Sequence, residues 1–569
     1  MIRGMSRYEE LYYKDHFNNQ ELIDLEVLFI LSWCGVYLKT HNELVRALIA
    51  KQGNFQEHHK AELLAELSKF IASIFDFYKE LQAKGRISLS TTPLNHPILP
   101  LLIDMQNGVR ANPHTNIPQP HKSLKEDARL QIERAKDVFE EIFGFLPEGF
   151  WPAEGAVDPQ SVALLHECGV RWIATDEEIL FKSLHSNQRD ALYHSYIYDG
   201  MCIGFRDKAL SDLIGFQYRN QEGEHAASHF MQELEKIQKS DEKRDVFVIL
   251  DGENAWEFFK NNGLDFFDAL YAKIQKTPWC NTRTMDEVYQ QEHKKLDELG
   301  VGSWIHGALN TWVGHPEKTK AWELLYMAKI DYDHHKDKLS PEIQEQISVH
   351  FLAAECSDWY WWYGDDHFSE FGAEFDILFR SHLVDIYDLM QITPPSDMFL
   401  PIIKDVSTQH FHIKPQSDIS PTINGLHDSF FEWIGCGVID ESKLFSTMDR
   451  DRGLIQKILY GNDAQKLYFS FYIDSHSDFL ADFLCIVIDE LEINGSIELK
   501  NQTTLINGYE INVFKSSWTE MSIDIASVKL PEISIRFELQ QEGKVIQTLP
   551  GFGELKIDLS RDYSHNWFV

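Results

Sequence analysis

The spacing of apolar residues predicts a long helix early in the chain. Between Ala61 and Lys84 apolar residues recur at helical spacing, and Gly85 is placed to end the helix. The apolar positions are Leu63, Leu64, Leu67, Phe70, Ile71, Ile74 and Phe75. We therefore predict a helix with one apolar face in this segment.

Two later helices are predicted from the residues at their starts. Ser123 with Glu126 has the spacing of a capping box, for a helix that reaches Ile142. Asp158 followed by Pro159 has the order of an N-cap and a first helical residue. Both helices are predicted to follow short connections.

Short apolar runs lie between the predicted helices and have the length of strands. Residues 86–90, 170–175 and 202–205 are three such runs. The run Val246–Leu250 (VFVIL) is apolar throughout, which predicts a strand buried on both faces. Strands that alternate with helices over this length predict a parallel sheet, closed into a barrel rather than split into two small sheets.

Two carboxylates follow segments of this predicted sheet, where functional groups cluster in such folds. Asp251 comes directly after the apolar run, and Glu154 lies near the end of GFWPAE. Two carboxylates in an aromatic cleft suit glycosidic bond cleavage, and retaining enzymes hold them about 5–5.5 Å apart. The sequence does not show that the two meet. Asp251 as a helix cap and Glu154 on a surface loop stay open as alternatives.

The pattern changes in the last part of the chain. Residues 302–391 are mostly helical in pattern and contain ECSDWYWWYGDDH. Apolar and polar residues then alternate, as in LYFSFYID at 467–474 and ISIRFELQ at 533–540, with Gly543 in a predicted hairpin turn. This alternation predicts an antiparallel β domain.

The length of 569 residues exceeds one ordinary core and suggests two to four domains. The patterns place three: a barrel at residues 1–301, a helical subdomain at 302–396 and a β-rich domain at 397–569. The hydrophobic share of 43% and the charged share of 25% are those of a soluble globular protein.

The net charge limits which binding partners are expected, and the cysteines indicate the cellular compartment. The net charge of −36 argues against a nucleic-acid or anionic-membrane partner. Seven scattered cysteines without a CxxC pair predict reduced thiols in the cytoplasm. The apolar run Val27–Leu38 is too short to span a bilayer, and the start of the chain lacks a signal peptide's apolar region.

Several ordered motifs resemble one enzyme family. GFWPAEG, FRDKALSDLIGF, VFVILDGENAWE and AAECSDWYWWYGDD are similar, in this order, to motifs of glycoside hydrolase family 57. The resemblance runs from about Tyr8 to Val569, including FFEWIGCG and the terminal NWFV. The residues of these motifs are most similar to those of the α-amylase and amylopullulanase members and less similar to those of the branching enzymes.

The resemblance implies an incomplete (β/α)7-type barrel that acts on α-glucans such as starch, glycogen and maltooligosaccharides. Glu154 matches the nucleophile of a retaining mechanism, and Asp251 matches the acid/base. Trp151 matches an aromatic residue that lines the sugar subsite. No cofactor and no metal ion are implied.

Further residues are expected to bind sugar by stacking or hydrogen bonding. Asp358 and Trp361 match the fifth motif's carboxylate and stacking tryptophan. Trp256 and Asp366 are candidates for the same cleft. His96 has two open interpretations, a cleft residue or a turn cap.

Two departures from the family pattern change the expectation. The family's opening His-Gln-Pro motif does not occur in this sequence, which predicts a chain that begins after the first barrel strand. Ser88 stands where members usually carry a glutamate that accepts a sugar hydroxyl. A shift in specificity or weaker activity is expected from that change.

Three functions stay open at this point. The first is a retaining glycosidase or transglycosylase, with hydrolysis and glucanotransfer both open. The second is a non-catalytic or incomplete family member that binds glucan through the tryptophan-rich cleft. The third is a metal-dependent deacetylase on a similar barrel, which would bind its metal ion through histidine ligands. Asp333 with His334 and His335 is interpreted as a solvated helix face rather than a metal site.

Overall fold

The fold is known from a computed structural model that divides the chain into two compact units, Met1–Lys404 and Asp405–Val569. The predicted division into three domains stays a prediction. The structure describes residues 17–239, 242–252, 258–364, 371–403, 412–426, 432–441, 454–473, 483–541, 544–550 and 554–560, with Leu11, Lys14, Trp256, Asp366, His367 and Ser369.

The first unit is a mixed α/β structure in which helices surround one sheet. Its helices are α1 (Asn19–Trp33), α2 (Val36–His41), α3 (Glu43–Lys51), α4 (Glu57–Ala83), α5 (Leu99–Ile103), α6 (Asn107–Ala111), α7 (Lys125–Phe143), α8 (Pro159–Glu167), α9 (Glu177–Leu184), α10 (Lys208–Asp212), α11 (Gly223–Ile237), α12 (Leu264–Lys276), α13 (Met285–Tyr289), α14 (Pro316–His335), α15 (Pro341–Ala354), α16 (Ser357–Trp362) and α17 (Gly372–Met390). The helical pattern predicted for residues 302–391 is confirmed by α14 to α17.

The sheet of the first unit has the strand order β1-β2-β3-β5-β4-β6. Its strands are β1 (Ser90–Thr91), β2 (Gly149–Phe150), β3 (Trp172–Asp176), β4 (Tyr196–Tyr198), β5 (Met201–Arg206) and β6 (Lys294–Lys295). Neighbours are parallel from β1 to β5, as predicted, while β4 runs antiparallel to β5. Every residue of β3 and β5 is buried, so these strands form the centre of the unit.

The expectation that Val246–Leu250 is a strand buried on both faces is wrong. The segment makes a single parallel bridge, from Phe247 to Arg206, and Phe247 alone among its residues is buried. Side chains replace the missing ladder: Arg206 Nε donates to the Ile249 carbonyl at 2.9 Å, and the Ile249 N–H donates to Ser211 Oγ at 3.1 Å. Backbone polar groups need a partner when covered, and here side chains supply it.

The predicted helix starts have different outcomes. Asp158 is confirmed as the N-cap of α8, and its carboxylate accepts from the N–H groups of Gln160 and Ser161. The capping box at Ser123 is wrong, because Ser123 Oγ donates to the Ile103 carbonyl and α7 begins without a side-chain cap. The Ser123 hydroxyl therefore bonds to a carbonyl of another segment instead of capping α7.

The first predicted helix is longer than expected and divides its apolar residues between two environments. α4 contains the predicted segment, and Gly85 follows its end with φ of 62°. Leu63 is buried, whereas Leu64, Ile71 and Phe75 are exposed. The prediction of a helix is confirmed, but three of its seven predicted apolar residues stay exposed.

The second unit is antiparallel β, as predicted. Its strands are β7 (His412–Ile413), β8 (Gly437–Asp440), β9 (Ile455–Asn462), β10 (Lys466–Ile473), β11 (Phe483–Ile488), β12 (Ile493–Glu498), β13 (Gln502–Ile506), β14 (Tyr509–Lys515), β15 (Thr519–Asp524), β16 (Glu532–Gln541), β17 (Lys544–Leu549) and β18 (Leu555–Asp558). They form sheets in the orders β13-β14-β15-β10-β9-β8-β7 and β12-β11-β16-β17, with β18 paired to β16. Gly543 lies outside the described residues.

Both faces of β10 carry buried residues. Phe469 and Phe471 enter the main core of the unit, where both contact Phe537 of β16. On the other face Tyr468 is also buried, in a small cluster with Trp433. Across both units, no described helix has the length and apolar composition needed to cross a bilayer.

Replacing Asp158 by Ala removes the cap that fixes the start of α8, four residues after Glu154. We expect the free energy of unfolding of the first unit to fall by about 1–2 kcal/mol, because two backbone N–H groups lose their acceptor. Denaturant titration followed by circular dichroism measures this change. Asp158→Asn is the matched control, since Asn also caps helices; equal destabilisation by both variants would contradict a capping role.

Candidate active site

Glu154 lies on a strained turn just after β2. Residues Ala153–Gly155 form a single 3₁₀ turn in which Glu154 has a left-handed φ of 57°. This conformation is unfavourable for a residue with a Cβ, so other contacts must hold it. Trp304 supplies two of them: its indole Nε1–H donates to Glu154 Oε2 at 2.8 Å, and its backbone N–H donates to the Glu154 carbonyl at 3.1 Å.

An aromatic wall stands beside this carboxylate. Trp151 and Trp304 pack edge to face, with ring centroids 5.2 Å apart and an interplanar angle of 67°. The Trp151 N–H donates to the Thr91 carbonyl of β1 at 2.8 Å, which fixes the turn to the sheet. Both indoles remain partly exposed.

The electrostatic environment of Glu154 includes two further predicted carboxylates. Burial raises the pKa of Glu154 to about 7, and the hydrogen bond from Trp304 acts in the opposite direction. The negative charges of Asp251 and Asp358 raise this pKa further. The structure therefore brings three carboxylates, distant in sequence, into one region.

Asp251 follows the extended segment that Arg206 and Ser211 hold against the end of β5. It is half-buried, at the same end of the sheet as Arg206, the last residue of that strand. Its alternative role as a helix cap involves residues 253–255, which lie outside the described residues. That alternative stays open.

His96 joins the loop after β1 to the start of α16. Its Nδ1 lies 2.8 Å from Ser357 Oγ, and its carbonyl accepts from the Ser357 N–H at 3.3 Å. Burial lowers the pKa of His96, against the opposing charge of Asp358, so the ring is neutral at neutral pH. Asp358 itself is exposed in the first turn of α16. The two candidates therefore lie at one junction.

Trp361 and Asp366 occupy the region after that turn. Trp361 stacks on His367, with ring centroids 3.9 Å apart and planes 3° from parallel. Asp366 accepts from the fully buried Lys318 at 2.5 Å, and Lys318 also donates to the Thr311 carbonyl. One face of the Trp361 ring and the Asp366 carboxylate therefore already contact other residues of the protein.

Trp256 lies in a different environment. It packs against Phe267, with ring centroids 4.4 Å apart, and against Phe259 at 5.4 Å. These rings belong to a separate apolar cluster formed around α10, α11 and α12. The predicted place of Trp256 in the sugar cleft stays a prediction.

Trp304 is a residue of the candidate site that the sequence patterns did not single out. Its contact with Glu154 spans 150 residues, and no local spacing points to it. Ser88, at the usual glutamate position, accepts from the Asp286 N–H at 3.1 Å and so supports a neighbouring helix start. Ser88 therefore has a structural role in this chain, and it does not supply the carboxylate that family members usually carry at this position.

Potential metal ligands show no clustering in the part of the chain that the structure describes: no three His, Cys, Asp or Glu side chains come together as a metal site would require. Asp333 instead forms ion pairs with Lys122 and Lys336. This supports the interpretation of its segment as a charged helix face.

Replacing Glu154 by Gln should change how stability depends on pH. In the wild type the raised pKa of Glu154 stabilises the folded state as long as the carboxyl is protonated, and this stabilisation is complete below the ordinary pKa of 4.5. The stabilisation is lost as the pH rises through about 7. We therefore expect the variant to gain on the order of 2 kcal/mol over the wild type between these limits. Thermal unfolding at a series of pH values measures the difference.

Glu62→Gln, at an exposed position of α4, is the control and should follow the wild type at every pH. A stability difference between Glu154→Gln and the wild type that stays constant over this range would contradict the raised pKa.

Comparison with known proteins places the chain in a family. The family model described as glycosyl hydrolase family 57 matches residues 3–299. The chain is 22% identical over 302 residues to Alpha-amylase 1 of Dictyoglomus thermophilum, covering 52% of this chain and 40% of that protein. It is 26% identical over 243 residues to a 4-alpha-glucanotransferase of Thermococcus litoralis, covering 41% of this chain and 33% of that protein.

Two solved structures are similar at low identity, and the relatives above are matched over less than half of their length. A GH57-type branching enzyme from Pyrococcus horikoshii has a TM-score of 0.46 at 14% identity, over 70% of this chain and 86% of that one. The α-amylase AmyC from Thermotoga maritima has a TM-score of 0.44 at 14% identity, over 65% and 80%. Because the family model covers more than half of the sequence, the chain belongs to glycosyl hydrolase family 57.

Proposed function

We propose that the protein is a retaining enzyme that cleaves or transfers α-glucosidic bonds in α-glucans and maltooligosaccharides. One observation carries the proposal: Glu154, held by Trp304 against an aromatic wall, lies within the electrostatic influence of Asp251 and Asp358. The names of the relatives, an α-amylase and a 4-α-glucanotransferase, support the same substrate class.

Glu154 is the proposed nucleophile. Its ionised carboxylate attacks the anomeric carbon, and the bond to the leaving sugar oxygen breaks as Asp251 gives that oxygen a proton. Asp251 then accepts a proton from water or from a sugar hydroxyl, whose oxygen displaces Glu154 from the anomeric carbon. Water gives hydrolysis, and a sugar hydroxyl gives transfer.

The raised pKa of Glu154 fits a pair of acids that shares one proton. Burial is the main cause of the raised pKa, and the charge of Asp251 adds to it because two nearby carboxyl groups do not both ionise readily. Catalysis requires the proton on Asp251 and the charge on Glu154. The indole N–H of Trp304 favours this arrangement, since it donates to the ionised form of Glu154.

The remaining candidates are proposed to bind the glucan. Trp151 and Trp304 offer aromatic surface beside the proposed nucleophile, and Trp361 of α16 is proposed to stack on a further sugar. Asp358 and His96 meet at the start of α16, where their polar groups can accept or donate hydrogen bonds to sugar hydroxyls. Asp366 and Trp256 are proposed to bind the glucan farther from Glu154.

We also propose that the sheet of the first unit is part of an incomplete (β/α)7-type barrel. The parallel order β1-β2-β3-β5 supports this interpretation, because the chain leaves β2 and β5 toward Glu154 and Arg206 at one edge. The contact between His96 and Ser357 supports a role of the helices after residue 316 in completing the cleft.

A product assay on a purified maltooligosaccharide tests the activity. Shorter sugars alone would mean hydrolysis, and longer sugars as well would mean transfer. Glu154→Gln should lower the rate by at least about 100-fold, because the nucleophile is lost, while Glu62→Gln should retain the wild-type rate. Undiminished activity of Glu154→Gln would contradict the assignment, and sugar binding without turnover by the wild type would favour a glucan-binding protein.

Asp251→Asn separates the acid from the nucleophile. Its rate on a maltooligosaccharide should fall by about 10²–10⁴-fold, because the sugar leaving group needs a proton. An aryl α-glucoside with an acidic phenol leaving group needs little protonation, so its first cleavage step should be largely retained. Burst-phase release of the phenol measures that step, and an equal loss on both substrates would contradict the role of Asp251.

A further inference from the structure

Arg206, the last residue of β5, lies in the motif FRDKALSDLIGF, whose role the proposed mechanism leaves open. The residue is 7% exposed. Its Nε donates to the Ile249 carbonyl at 2.9 Å, and its terminal nitrogens contact Asp212 at 2.6 Å and Asp176 at 3.4 Å. The two carboxylates balance the buried charge, and the third donor is used on the backbone of another segment.

The same guanidinium also contacts an aromatic ring. Its central carbon lies 5.5 Å from the ring centroid of Trp304, within the range of a cation–π interaction. Trp304 is the residue whose indole N–H donates to Glu154. Ile249 is two residues before Asp251. One side chain therefore touches the support of each of the two proposed catalytic carboxylates.

We propose that Arg206 is a positioning residue that sets the placement of Asp251 relative to Glu154. Its Nε binds the Ile249 carbonyl, and its positively charged guanidinium group orients the Trp304 indole. This inference rests on the proposed function for the roles of the two carboxylates. The contact network itself is independent of those roles and can be tested without turnover.

The geometry requires an arginine rather than any cation. A guanidinium is a rigid planar fork with donors in several fixed directions, and it also stacks on aromatic rings. A lysine ammonium is a single point on a flexible stem, so it cannot reach Ile249, Asp212 and Trp304 together. The positive charge over the indole also strengthens the Nε1–H as a donor, which tightens its bond to Glu154.

The first test observes the indole N–H of Trp304 by NMR in protein labelled with ¹⁵N-tryptophan. The Trp304 signal is identified by its loss in Trp304→Phe. Arg206→Met should shift this signal, because the cation over the ring is removed. Arg171→Met is the matched control, since Arg171 forms a surface ion pair with Glu148 and should leave the signal in place. An unchanged Trp304 signal in Arg206→Met would overturn the proposal.

The second test separates positioning from binding in the maltooligosaccharide assay. Displacement of reacting groups by about 1 Å can cost about 100-fold in rate. We expect Arg206→Met to lower kcat by at least about tenfold while KM changes by less than about threefold, and Arg206→Lys to recover only part of kcat. A rise in KM at unchanged kcat, or full recovery by lysine, would overturn the proposal.

The two tests separate a failure of this inference from a failure of the proposed function. If Glu154→Gln is as active as the wild type, the proposed function is wrong, and the NMR result still decides whether Arg206 orients Trp304. If Arg206→Met does not fold, as judged by circular dichroism, Arg206→Lys replaces it in both tests. In that case wild-type values of the Trp304 signal and of kcat in Arg206→Lys would overturn the proposal.

Discussion

The hydrogen bond from the Trp304 indole to the Glu154 carboxylate is the contact on which the rest of the candidate site depends. Glu154 has a left-handed backbone, a conformation that costs a residue with a side chain about 1 kcal/mol or more. Trp304 offsets this cost through its side chain and its backbone N–H together. The same indole forms the aromatic wall with Trp151, so one residue contacts both the carboxylate and the wall.

A neutral donor at this position has a chemical consequence. An arginine or lysine paired with Glu154 would hold its pKa low and stabilise the ionised form strongly. The indole stabilises it less, so burial still raises the pKa of Glu154 to about 7. The nearby positive charge of Arg206 is directed instead to Asp176 and Asp212. An ionised carboxylate without a cationic partner keeps a high basicity, which suits the nucleophile role proposed for Glu154.

A second set of contacts holds the segments that carry His96 and Asp358. Gln131 of α7 is fully buried and its side chain accepts from the Asn95 N–H at 3.0 Å. The same amide donates to the Leu352 carbonyl at 2.9 Å and to Glu355 at 3.1 Å. One residue therefore joins the loop of His96 to the segment that leads into Asp358.

Local patterns determined much of the architecture, because caps, helical spacing and strand alternation act over few residues. They identified the cap at Asp158, the helices after residue 302 and the antiparallel second unit, and the motifs singled out Glu154 and Asp251. Tertiary structure alone decided that Val246–Leu250 joins the sheet through a single bridge at Phe247, while Arg206 and Ser211 bind the backbone of Ile249. It also decided the roles of Trp304 and Arg206, since their partners lie far away in the sequence and only folding brings them within hydrogen-bonding distance.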